Sequence, residues 1–127
     1  MRPRPAEVID ALKRPAFWGL LAFCSVFALI PTVPDTVAQL GDVVLHAGAF
    51  LTLAVFGALA YPARSLWLIG LALVGYGALI ELLQGLSGLR QPDLGDLIVD
   101  VVATGTGLAI VVAFRSLAHR WCRNKPT

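Results

Sequence analysis

Asp42, His46, Glu81, Gln84, Arg90, Asp93, Asp96 and Asp100 are polar residues set into an otherwise apolar stretch of chain, and they are the side chains able to do chemistry. Asp42 and His46 are four residues apart, Glu81 and Gln84 three apart, and the three aspartates three and four apart. On a helix each set shares one face. At about 100° per residue, Asp93, Asp96 and Asp100 fall within an arc of roughly 60°. His46 is a candidate proton acceptor, ligand or hydrogen-bond partner of Glu81. Glu81 is a candidate general acid, and Arg90 offers a two-pronged donor to a phosphate or carboxylate, or else neutralises the neighbouring acids. Asp93 suits a helix N-cap, whereas Asp100 lies about two turns further in, where capping has no use for it. His46, Glu81 and Asp96 are the catalytic candidates, with no reaction assigned. A histidine with several carboxyls has the donors for a divalent cation such as Zn²⁺ or Mn²⁺, but no tight motif of the His-Glu-x-x-His kind is present. The sequence therefore assigns no metal and no cofactor.

The elements that must position these residues follow from composition. Of 127 residues, 57% are hydrophobic and only 14% charged, which argues against a water-soluble domain. Crossing about 30 Å of hydrocarbon takes roughly 20 apolar residues. Four such stretches are legible, at about 17–33, 43–61, 66–88 and 94–114. The expected fold is all-α, a polytopic membrane protein with four transmembrane helices in an up-down bundle, one domain over residues 1–127. The first stretch follows Arg2, Arg4, Lys13 and Arg14 as a signal-peptide core would, yet Ile30 to Pro34 offers no A-x-A cleavage pattern, so it is retained as a helix.

Charge sets the orientation. Arg2, Arg4, Lys13, Arg14, Arg64, Arg115, Arg120, Arg123 and Lys125 all flank one side of such a bundle. By the positive-inside rule that side, with both termini, is cytoplasmic. Arg90 is the sole basic residue left to the other side, while Asp35, Asp42, Glu81, Asp93, Asp96 and Asp100 make the outer half acidic. An ionisable group inside a span costs about 2.5 to 3.5 kcal/mol on insertion scales, so these residues need partners, a cavity or a role. Three polar stripes are expected to face the bundle interior at one depth, where either protons or a cation must offset the carboxyls. Gly48, Gly57, Gly70, Gly75, Gly77, Gly105 and Gly107 are read as sites of close helix approach. Cys24 and Cys122 have no ligand spacing. The basic tail around Trp121 suits topology and anionic-lipid contact, not nucleic acid, and Trp18, Tyr61 and Trp67 read as interface anchors.

The run Glu81-Leu82-Leu83-Gln84, followed by Arg90, Asp93, Asp96 and Asp100 and preceded by Asp42, His46 and Phe50, resembles the VanZ-like family of small bacterial membrane proteins. That family's pattern is Asp-x-x-x-His at a helix start, then Glu-x-x-Gln, an Arg about six residues on and an Asp-containing helix start. The likeness spans Gly41 to Gly107. Asp100 departs from it, because the family commonly has Asn there. The resemblance implies a multi-pass protein of the bacterial cytoplasmic (inner) membrane, an envelope setting and a link to resistance to the glycopeptide teicoplanin. It implies no established reaction.

Three classes of function follow. One is a binding protein for a lipid-linked or anionic envelope ligand, a precursor or the glycopeptide itself, held by Arg90 with Asp42, His46, Glu81, Gln84, Asp93, Asp96 and Asp100 around it. Another is a membrane enzyme using acid-base or metal-assisted chemistry on a lipid-linked substrate. The third is a structural module whose polar cluster only fixes helix pairing. Membrane lipids are expected partners, homo-oligomers are compatible, and proton-coupled transport is a weaker fourth idea because four short helices leave little room for alternating access.

Overall fold

The computed structural model describes residues 4–30, 41–88 and 93–124. Among them are four helices and no strand: α1 Pro5–Leu29, α2 Asp42–Ala60, α3 Leu66–Ser87 and α4 Leu94–Arg123. All four are long and apolar enough to cross a membrane. The chain has the build of a multi-pass membrane protein.

Two boundaries differ from the apolar stretches. The first helix starts at Pro5 rather than near Phe17 and is described to Leu29, the expected end at Val33 lying outside the described residues. Pro5 occupies the first helical position, where its missing N–H is no loss, and the Glu7 carboxylate accepts the Arg4 backbone N–H at 3.2 Å. These local signals start the helix well before hydropathy rises. The last helix runs to Arg123 rather than Phe114, so the basic tail is helical, with Arg120 and Arg123 in its final turn beside the negative dipole end. The second and third helices lie within a residue of expectation.

Named contacts give the alternation. Phe17 of α1 meets Gly57 of α2, and Ser25 of α1 shares a hydrogen bond with Tyr76 of α3 at 2.9 Å. His46 pairs with Asp100, Leu51 with Gly107 and Ala58 with Arg115, so α2 and α4 run in the same direction. Gly77 against Asp100 and Gly70 against Leu108 make α3 and α4 antiparallel. Successive helices thus alternate, and the most extensive packing is between α2 and α4, which are not neighbours in the chain.

Small residues make that seam possible. A Cβ on Gly107 would lie 2.7 Å from the Leu51 carbonyl oxygen and 2.9 Å from Ala54 Cβ, so the two backbones approach as only glycine permits. Gly57 likewise leaves room for the Phe17 ring and Ile69. Gly48, Gly75 and Gly105 face open space, so close approach does not explain them. Phe17, Phe50, Leu53, Ala54, Ala60, Leu73 and Ala103 form the buried cluster, while large side chains such as Trp67, Leu86 and Phe114 stay exposed. An apolar exterior around a small-residue interior fits lipid as solvent.

The last carbonyls of α2 have no partner within their own helix. Arg14 Nε donates to the Ala60 carbonyl at 3.4 Å, and Arg115 Nη2 donates to that of Ala58 at 2.9 Å. Arg14 also stacks over Tyr61, whose hydroxyl accepts from Trp18 Nε1 at 2.7 Å. Arginines that the sequence reads only as topology signals thereby also close a helix end. Cys24 packs beside the core and Cys122 is exposed, both as free thiols.

Candidate functional site

At the opposite end of the bundle, the start of α2, the end of α3 and the start of α4 meet. His46 comes from the second turn of α2, Glu81 from the penultimate turns of α3, and Asp96 and Asp100 from the first two turns of α4. On α4 the buried positions are Asp96, Asp100, Ala103, Thr104, Gly107 and Val111, one stripe at helical spacing. The aspartates are thus the first two members of the stripe that packs the helix, and this carries them into the interior.

The two ring nitrogens of His46 face different acids. Nδ1 lies 2.9 Å from Asp100 Oδ1, a hydrogen bond whose direction follows the tautomer. Nε2 faces Asp96 Oδ2 at 3.7 Å, beyond hydrogen-bonding distance. One ligand atom each from His46, Glu81 and Asp96 lies within 4.8 Å of the other two. The Phe50 ring lies parallel to the imidazole at 6.4 Å between centroids and walls the site from the core side. Asp100 is fully buried, and a Cβ on Gly77 would come within 2.6 Å of its Oδ2 and 3.1 Å of Phe50. Glycine at position 77 therefore makes room for the carboxyl.

Three buried polar oxygens have no hydrogen-bond partner among the described residues: Glu81 Oε1, Asp100 Oδ2 and Thr104 Oγ1. Such atoms carry a desolvation cost of about 1 to 3 kcal/mol each. Glu81 Oε2 accepts the Asp93 backbone N–H at 3.0 Å, which ties the end of α3 to the start of α4.

Four of the eight polar residues therefore converge, and the side chains of Asp93 and Gln84 turn elsewhere. Asp93 is a cap: its side chain accepts the Gly95 N–H at 2.7 Å. Gln84 is buried but turns to α1, donating to the Ala28 carbonyl at 2.9 Å. Three residues from Glu81 is a rotation of about 60°, enough to give the two side chains different neighbours. Asp42, the first residue of α2, is exposed outside the buried group. Arg90 lies outside the described residues. The sequence reading passed over Thr104, although it sits four residues beyond Asp100 on the same face, and Gly77, singled out only for helix packing.

The site defines a class: an all-α membrane protein with a buried histidine–carboxylate cluster at one end of its spans. No family model, curated protein or solved structure matches the chain. The reading of function accordingly rests on the site itself.

Proposed function

We propose that this chain is a VanZ-like protein of the bacterial cytoplasmic membrane, with both termini cytoplasmic and the histidine–carboxylate end facing outward. There it binds the polar head of a lipid-linked or anionic envelope ligand, in keeping with the resemblance to a family linked with teicoplanin resistance. The observation that carries this reading is the convergence of His46, Glu81, Asp96 and Asp100 from three helices at one end of an apolar bundle. Burying three carboxyls beside a half-buried histidine is costly and packing does not require it, so a ligand role accounts for their presence. Arg90, which falls between α3 and α4 in the sequence, is the candidate donor for a phosphate or carboxylate.

Native mass spectrometry of the detergent-purified protein tests the proposal. An anionic lipid retained by the wild type and lost from Arg90→Ala, with thermal stability unchanged, is the expected result. If nothing is retained and His46→Ala merely melts earlier, the cluster is structural. A second reading, acid-base or metal-assisted catalysis on such a ligand, is favoured by the Asp100–His46 pair, because a carboxylate on Nδ1 orients the ring and leaves Nε2 directed toward Asp96.

A further inference from the structure

The described part of the site is acidic, and the ligand proposed for it is anionic. Glu81, Asp96 and Asp100 ionised, with neutral His46, would place a formal charge of about −3 in a buried pocket, which would repel a phosphate.

We infer that His46 Nε2, Glu81 and Asp96 hold a divalent cation of the Zn²⁺ or Mn²⁺ class, with Asp100 positioning the histidine. Several independent features point to it. The three donors come from three different helices, yet their ligand atoms lie within 4.8 Å of one another. The 3.7 Å between His46 Nε2 and Asp96 Oδ2 is too long for a hydrogen bond. It is near the about 3.4 Å that separates two ligands on a tetrahedral Zn²⁺ with bonds of about 2.0 to 2.1 Å.

Glu81 is more than nine-tenths buried, and its Oε1 has no hydrogen-bond partner among the described residues. One Glu81 carboxylate oxygen belongs to the group of three ligand atoms, so this orphaned carboxyl is part of the site itself. A metal-binding imidazole nearly always gives its other ring N–H to a carboxylate or carbonyl, which fixes the tautomer. Asp100 Oδ1 at 2.9 Å from Nδ1 is placed for that role. Nitrogen and carboxylate donors together suit Zn²⁺ or Mn²⁺ better than the all-oxygen set that Ca²⁺ prefers. One histidine and two carboxylates leave at least one coordination position for a water or for an oxygen of the ligand. The cation site stands on this geometry alone. Its bridging of an anionic headgroup to an acidic pocket rests on the function proposed above.

The experiment uses the whole chain in detergent, stripped with a chelator and titrated separately with Zn²⁺ and Mn²⁺ by calorimetry. The wild type is expected to bind one cation per chain. Glu81→Gln and Asp96→Asn, which keep side-chain shape, should each weaken binding at least tenfold, and Asp100→Asn by about 10- to 100-fold. Asp10→Asn, which alters an exposed carboxyl on α1 that pairs with Lys13, should bind as the wild type does. Circular dichroism of every variant separates lost binding from lost fold. Absence of a stoichiometric cation in the folded wild type, or wild-type affinity in both Glu81→Gln and Asp96→Asn, overturns the inference. Lipid retention is then measured with and without the cation. A cation bound without any lipid overturns the ligand reading and leaves the cation site standing. Lipid retained by the stripped protein rejects the bridging step.

Discussion

Thr104 and Gln84 divide the buried polar residues into those that packing explains and those it does not. Gln84 gives α1 a hydrogen bond at Ala28, so Gln84→Leu should lower stability by about 0.5 to 1.5 kcal/mol while leaving cation binding unchanged. Thermal unfolding in detergent beside the calorimetric titration checks both halves. Thr104 Oγ1 is buried without a partner among the described residues, so Thr104→Val, equal in shape, should be neutral or stabilising by up to about 1 kcal/mol. A marked loss in that variant would mean the hydroxyl has a working partner. Much of this was legible beforehand: spacing put Asp96 and Asp100 on one face and marked Asp93 as a cap. Spacing could not assign Asp100 to one nitrogen of His46 and Asp96 to the other, because that depends on how α2 and α4 are rotated against each other. Nor could it separate Gln84 from Glu81, since only the position of α1 decides which way the amide turns.

Helices α2 and α4 meet through glycine, and the glycines are not equivalent. Gly107→Ala would push a methyl into the Leu51 carbonyl and Ala54, with an expected cost of about 1 to 3 kcal/mol. Gly105→Ala faces open space and should be neutral, so equal losses in a denaturant titration of the two would contradict the seam. Gly77→Ala should act on the site instead, displacing the Asp100 carboxyl and weakening cation binding more than it lowers stability. Sequence alone ranks these positions alike, because a glycine in an apolar stretch shows no sign of which side faces a neighbour. Hydropathy located the spans but not the ends of α1 and α4. Membrane thickness bounds an apolar stretch, whereas hydrogen bonding and capping bound a helix, and Pro5 and Glu7 carry that second signal.

The whole molecule is polarised along its axis, with Arg14, Arg64 and Arg115 toward one end and the histidine–carboxylate group at the other. If the basic end is cytoplasmic, a cysteine placed at Ser65 should react with a membrane-impermeant thiol reagent only in inverted vesicles, and one placed at Asp42 only in intact spheroplasts. Cys122→Ser is the background for both, since the native thiol is exposed. Labelling with the opposite sidedness would turn the site toward the cytoplasm and remove envelope ligands from consideration.

Arg14 and Arg115 complete the end of α2 from the first and last helices of the chain. During synthesis, Arg14 is present when α2 enters the bilayer, whereas Arg115 is translated more than fifty residues after Ala58. Until α4 arrives, the nascent chain holds a bare Ala58 carbonyl and an uncovered α2 face where Leu51 and Ala54 await Gly107. A chain stalled after α3 therefore lacks both the cap and the seam that α4 supplies, and the end of α2 is completed only when the final helix is in place.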